Sequence, residues 1–156
     1  MRKGLLLYNP TAGRYPVGRF VRGIIHPLKD AGWSVDIAET LSGTHAHLAA
    51  QEKYDAVFAI GGDGTVGQVA SGLINTETAL AVLPAGTTNV WAIEQGQKPF
   101  SWFQWGALRE NARILANVEP QYVDVGVCNE RPFLLWAGIG LDAETTELFK
   151  NQLVHD

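Results

Sequence analysis

The residues with the most chemical meaning are Gly61-Gly62-Asp63-Gly64-Thr65. They follow an apolar run and open a segment with helical spacing. Glycines on both sides of one aspartate let the backbone turn sharply and approach a ligand closely. A helix starting there would present unpaired N–H groups and a partial positive charge, which suit phosphate. Asp63 would repel a bare phosphate. Its carboxylate suits a Mg²⁺ that bridges phosphates, or the proton of an attacking hydroxyl. Asp63 could also serve only as a helix cap, but capping alone does not call for glycine on each side.

Three further segments add small polar groups. Leu83-Pro84-Ala85-Gly86-Thr87-Thr88-Asn89 follows another apolar run, with Gly86 for a tight turn and Thr87 and Asn89 for neutral hydrogen bonds. Asn9-Pro10-Thr11-Ala12-Gly13-Arg14 leaves the first run, where Asn9 can bond, Gly13 can turn and Arg14 can reach a phosphate. Thr40 follows the second. Each alone reads as an ordinary loop. In an open α/β sheet, though, loops at the carboxyl ends of neighbouring strands face one crevice, and the four together are more persuasive than any one.

The elements that would bring them there are legible in the apolar pattern. Leu5–Tyr8, Ala56–Ile60 and Ala79–Leu83 are short continuous runs, as expected of strands buried on both faces. Val35 and Ile37 mark a weaker strand. Val17, Phe20, Val21, Ile24, Ile25 and Leu28 share one helical face, with Pro27 expected to kink or end the helix. Val66, Val69, Ala70, Leu73 and Ile74 repeat that spacing. Thr44 could cap a helix running to about Glu52, and Trp105, Leu108, Ala112 and Leu115 mark a later one. The alternation predicts an α/β fold, a three-layer domain with a parallel sheet over residues 1–116. From 117 to 156 the texture changes. Tyr122–Val127, a turn at Asn129-Glu130-Arg131, and Pro132–Trp136 predict antiparallel pairing, the first strands of a β-rich second domain. Two strands cannot close a sheet core, so the chain reads as truncated or as borrowing strands from a partner, and exposed strand edges would favour a homo-oligomer.

Composition excludes several classes. The net charge of −4 argues against a nucleic-acid partner and gives equally little support for strong attraction to anionic lipid, leaving open only a local basic patch. Cys128 is the only cysteine, so neither an internal disulfide nor a cysteine zinc site can be assembled. This fits a cytoplasmic protein; Cys128 itself reads as a small hydrophobe in a strand. The apolar start is too short for a signal peptide, and no run reaches the ~20 residues of a transmembrane segment, which limits membrane contact to the periphery. There is no Walker A lysine. Gly138–Ala143 matches GxGxxA, but a dinucleotide fingerprint needs an acidic residue about 20 positions on, and the chain ends at Asp156. Trp102, Phe103 and Trp105 could meet lipid or a partner; their helical spacing places them in the core.

Taken in order, NPTAG at 9–13, GGDGT at 61–65 and PAGTTN at 84–89, with VDVG at 123–126 and AGIGLDA at 137–143, resemble the diacylglycerol kinase catalytic family, which includes bacterial lipid kinases and sphingosine and ceramide kinases. GGDGT by itself is shared with NAD kinases; the ordered set is more specific. The resemblance implies a nucleotide domain followed by a β-sandwich, with ATP between them. It implies that Asn9, Gly13, Thr40, Gly61, Gly62, Gly64 and Thr65 contact ATP, with Gly86, Thr87 and Asn89 closing around it. Asp63 would be catalytic and would serve Mg²⁺. A lipid hydroxyl at a membrane surface would attack the γ-phosphoryl group, catalysis being mostly positioning and charge neutralisation.

The sequence departs from the family at three places. Gln68 and Val90 stand where the family has carboxylates, and Leu41 where it has an acidic residue after the threonine. These changes weaken metal and nucleotide contacts. The family's distal Asp-Gly-Glu motif, expected to supply a base, has no counterpart in residues 1–156, so nucleotide binding with little turnover is expected of this chain alone. An NAD kinase-like enzyme and a non-catalytic nucleotide or lipid sensor are the rival readings.

Overall fold

A computed structural model describes residues 1–10, 16–40, 54–101, 103–104 and 106–134. The helix expected over 44–52, Gly13, Arg14, Trp102, Trp105 and the 138–143 glycine motif lie outside the described residues. The chain divides into two compact units, Met1–Asp124 and Val125–Asp156.

The first unit is built on a four-stranded parallel sheet: β1 (Arg2–Tyr8), β2 (Trp33–Glu39), β3 (Ala56–Gly61) and β4 (Ala79–Pro84), in the spatial order β2-β1-β3-β4. The continuous apolar runs are explained by the pleat. Alternate side chains of β1 and β3 enter opposite cores. Leu6, Phe58 and Ile60 pack on one face with Val21, Ile24 and Leu28 of α1 (Val21–Asp30) and Leu108 and Ala112 of α4 (Ala107–Leu115). Leu5, Leu7, Val57 and Ala59 pack on the other with Val69 and Leu73 of α2 (Asp63–Leu73). Three layers result. Burying such a leucine, isoleucine or phenylalanine contributes about 1.5–3 kcal/mol.

The crossovers explain which helix lies where. From β1 the chain steps outward to β2; from β3 it steps the other way to β4. Right-handed crossovers running in opposite directions put their helices on opposite faces, as α1 and α2 are. The reversal falls between β1 and β3.

The first helical segment is shorter at its start than its apolar spacing predicts. Val17–Arg19 is a single 3₁₀ turn, and α1 begins at Val21. Nor does Pro27 end the helix, which runs three residues further, to Asp30. Pro27 is buried in the face packed on the core, and that packing offsets the bond it cannot give the Gly23 carbonyl. Gly32, at φ +84°, makes the turn into β2. A five-residue helix, α3 (Val90–Glu94), has no counterpart in the sequence pattern.

Phe103 corrects a second expectation. It is 92% exposed rather than in the core. It lies in the loop before α4, whose first residue is Ala107, so helical spacing does not govern it.

Within the second unit, β5 (Gly126–Cys128) and β6 (Arg131–Phe133) form an antiparallel hairpin. Asn129 and Glu130 turn it with φ of 49° and 63°, the left-handed pair a two-residue hairpin requires. Strand structure starts only at Gly126. Tyr122–Val125 has no ladder partner among the described residues, and Tyr122 is exposed. Cys128 is exposed too, at the strand end, not packed as a small hydrophobe.

Candidate functional site

Because the four strands are parallel and in register, their carboxyl ends form one edge. Tyr8 pairs with Glu39 on one side and Ile60 on the other, and Gly61 pairs with Pro84. Thr40, Asn9, Gly62 and Gly86 therefore follow one another along that edge. Backbone bonds continue the ladder beyond the strands: Thr40 N–H to the Tyr8 carbonyl at 2.9 Å, Asn9 N–H to Ile60 at 3.5 Å, and Ala85 N–H to Gly61 at 3.0 Å. The topological reversal lies between Asn9 and Gly62, the position where open α/β sheets take ligands.

The tightest point is between the third and fourth loops. A Cβ placed on Gly86 would stand 2.3 Å from the Gly62 Cα, and one on Gly62 would stand 3.1 Å from the Gly86 Cα. Two backbones touch there: a side chain at Gly86 cannot be placed without moving Gly62, and one at Gly62 would need a shift of a few tenths of an ångström. Beside this contact α2 begins. The N–H groups of Thr65 and Val66 both reach the Gly62 carbonyl, at 2.9 and 3.1 Å. Those of Asp63 and Gly64 have no partner within the helix. Gly64 is exposed, with open space where a Cβ would be.

Asp63 is the first residue of α2 and joins the two loops. Its Oδ2 accepts the Thr88 hydroxyl at 3.1 Å, and its Oδ1 accepts the Trp91 N–H, in the first turn of α3, at 3.3 Å. Each oxygen keeps a further lone pair. Neither Thr88 nor Trp91 was identified as a partner from sequence. They lie 25 and 28 residues from Asp63, and no local pattern links them.

Several of the other candidates face inward. Thr40 is fully buried, and its hydroxyl donates to the Tyr8 carbonyl at 3.1 Å. Thr65 is buried against Gly61, where an added Cβ would stand 2.6 Å from the Thr65 Cβ and Oγ1. Asn89 is buried in the left-handed region, φ 53°. Its Oδ1 accepts the Gly86 N–H and its Nδ2 donates to the Gly86 carbonyl, both at 2.8 Å, so it braces the Gly86 turn from inside. Thr87 is exposed beside it, and Asn9 is half-buried at the edge. Of the positions that lack a carboxylate, Gln68 is exposed on α2 and Val90 opens α3.

At the outer end of the edge the Tyr8 hydroxyl donates to Glu39 Oε2 at 3.0 Å. That bond, with partial burial and the carboxylate charge, raises the Tyr8 pKa above its usual 10.0. Among the described residues no three acidic, histidine or cysteine side chains gather as a metal cage. A single carboxylate beside glycine loops matches the way Mg²⁺ is commonly held, by one or two carboxylates plus phosphate oxygens.

Comparison with known proteins agrees with this fold. The family model described as the diacylglycerol kinase catalytic domain matches residues 3–128. A diacylglycerol kinase of Bacillus subtilis is 30% identical over 152 residues, covering 94% of this chain and 48% of the relative. The "Probable lipid kinase YegS-like" protein of Pseudomonas putida is 33% identical over 153 residues, covering 93% and 48%. The crystal structure of a diacylglycerol kinase from Bacillus anthracis superposes with a TM-score of 0.71 at 27% identity, covering 96% of this chain and 52% of that one. The chain thus spans about half the length of the relatives it matches.

Proposed function

Since the chain belongs to the diacylglycerol kinase catalytic domain family, we propose that the carboxyl edge of its sheet binds ATP with Mg²⁺ and supplies the nucleotide half of a phosphoryl transfer to a lipid hydroxyl. The observation that carries this reading is the Gly62–Gly86 backbone contact beside the start of α2, with Asp63 tying the two loops together. A side chain at Gly86 would push the two loops apart and disturb the edge they form together. The N–H groups of Asp63 and Gly64, unpaired within the helix, sit at a helix N-terminus and favour an anion.

The roles divide by burial. Gly62, Gly64, Gly86 and the exposed Thr87 form the surface a triphosphate would meet, with Asn9 at its margin. Thr40, Thr65 and Asn89 hold that surface in shape from beneath. Asp63 is the carboxylate available for Mg²⁺, each of its oxygens keeping a lone pair beyond its bond to Thr88 or Trp91. The ion would neutralise charge on the transferring phosphoryl group. No helix among the described residues is long and apolar enough to cross a membrane, and a lipid acceptor would be met at a membrane surface.

Calorimetric titration with ATP, with and without Mg²⁺, tests the reading. Saturable, Mg²⁺-dependent binding is expected, weakened at least about tenfold in Asp63→Asn, as loss of a charged metal contact of about 1.4 kcal/mol or more would give. NAD should not compete. Binding by NAD in place of ATP, or no nucleotide binding by a chain that unfolds cooperatively, would overturn it.

A further inference from the structure

The loop between α3 and α4 has an apolar tip on a fixed stem. Phe100 is buried, its ring edge-on to Phe20 with centroids 4.9 Å apart. Buried Asn111 of α4 holds Lys98 by both backbone groups: its Oδ1 accepts the Lys98 N–H at 3.2 Å, and its Nδ2 donates to the Lys98 carbonyl at 2.8 Å. Past the stem, the Gln104 N–H returns to the Ser101 carbonyl and the Ala107 N–H to the Gln104 carbonyl, each at 2.9 Å. Between these bonds Phe103 is 92% exposed. A slack loop could tuck such a ring away. This loop is bonded on both sides and still presents it to solvent.

Its surroundings in sequence are aromatic and free of acids from residue 95 to residue 109. Trp102 and Trp105 flank Phe103, and Lys98 and Arg109 flank the aromatic group. Both cations are exposed, and neither has an ion pair among the described residues. The acid beside them, Glu110, is held by Arg113 at 2.8 Å and also feels the charge of Lys98. Phe20 precedes the first turn of α1, which follows the carboxyl end of β1. The stem is therefore anchored toward the end of the sheet that carries the site.

We propose that this loop docks the protein on an anionic membrane surface, Phe103 entering the interfacial layer while Lys98 and Arg109 meet lipid headgroups. Aromatic rings favour that layer, and nearby basic residues add electrostatic attraction. A second copy of the loop is a poorer partner, since it would bring like charges together. The proposal rests on the lipid-kinase reading for its purpose, but the binding is measured without it.

The test is flotation with vesicles of phosphatidylcholine alone and of phosphatidylcholine mixed equally with phosphatidylglycerol. The protein is expected on the mixed vesicles, less so at high salt. Phe103→Ala should weaken binding about fivefold or more, and Phe103→Trp should preserve it. Lys98→Glu should remove about fivefold and the preference for anionic lipid. No binding to either vesicle, or equal binding by Phe103→Ala, would overturn the proposal. So would a Phe103→Ala variant that turns a dimer into a monomer without vesicles, because the ring would then be covered by another copy. ATP titration of the same samples separates the two ideas: vesicle binding through Phe103 by a chain that ignores ATP would sink the kinase reading and leave the docking loop standing.

Discussion

Adding one methyl group at Gly86 tests the geometry of the site directly. The new Cβ would lie 2.3 Å from the Gly62 Cα, 3.0 Å from the Gly62 nitrogen and 3.0 Å from Asn89 Oδ1. Carbons in contact sit about 3.5 Å apart, so the loops after β3 and β4 must separate by about 1 Å. The obstacle is backbone fixed by the Ala85–Gly61 bond, and no flexible side chain can give way. Overpacking of this kind costs about 1–3 kcal/mol, and the rigid obstacle places Gly86→Ala in the upper half of that range. The movement also pulls Thr88 and Trp91 from Asp63, and a 1 Å misplacement can cost about a hundredfold in function. Gly64→Ala is the control. Its Cβ meets nothing within 4 Å, and alanine in a helix is about 1 kcal/mol better than glycine. Gly64→Ala should therefore unfold in urea at the same concentration as the parent or higher, yet bind Mg·ATP more weakly, because the methyl stands where phosphate is proposed. Urea unfolding and calorimetry on both variants supply the readout. A Gly86→Ala protein as stable as the parent and unchanged toward ATP would refute the close-contact argument, and unaltered ATP binding by Gly64→Ala would refute the placement of the phosphates.

Two further outcomes follow from particular residues. Asn89→Ala should lose about 2–3 kcal/mol, from two hydrogen bonds of about 1 kcal/mol each and the left-handed backbone at φ 53°; Asn89→Gly should recover about 1 kcal/mol of this in urea unfolding, and equal losses in the two would show that the backbone carries no strain. Stability should fall as pH rises above about 10, because Tyr8, bonded to Glu39, has its folded pKa raised: the contribution is complete below the unfolded value and lost as pH climbs through the folded one, so Tyr8→Phe should flatten that alkaline decline, and an unchanged slope would remove Tyr8 as its source.

The parallel sheet could be read in the sequence because its strands are buried on both faces, which leaves continuous runs such as Ala56–Ile60. Helix starts were harder. Val17 and Phe20 share the apolar face of α1 but lie in and beside a 3₁₀ turn, and spacing does not distinguish the two. The five residues of α3 are too few for any period. Phe103 shows the opposite error, since a helical spacing carried one turn too far put an exposed ring in the core. At the site, the sequence placed Gly62 and Gly86 on one edge but could not show that they touch. That contact depends on the register pairing Gly61 with Pro84, a property of the sheet and not of either loop. The hydroxyl and N–H that hold Asp63 come from the far side of the same contact.

The missing carboxylates at Gln68 and Val90 change meaning in this light. Val90 opens the short helix whose next residue, Trp91, gives its N–H to Asp63. Gln68 lies on the exposed side of α2, five residues beyond Asp63. An acidic side chain at either place would add negative charge near a helix N-terminus that is proposed to receive phosphate. Without them, the N–H groups of Asp63 and Gly64 would meet the proposed phosphate with one carboxylate between them. Such a site gains less from the metal and more from backbone donors. Its affinity for ATP should accordingly depend less steeply on Mg²⁺ than a site with several carboxylates would, and restoring acids as Gln68→Glu and Val90→Asp should steepen that dependence in the same titration. If the restored acids leave the Mg²⁺ dependence unchanged, neither position faces the metal, and Asp63 holds it alone.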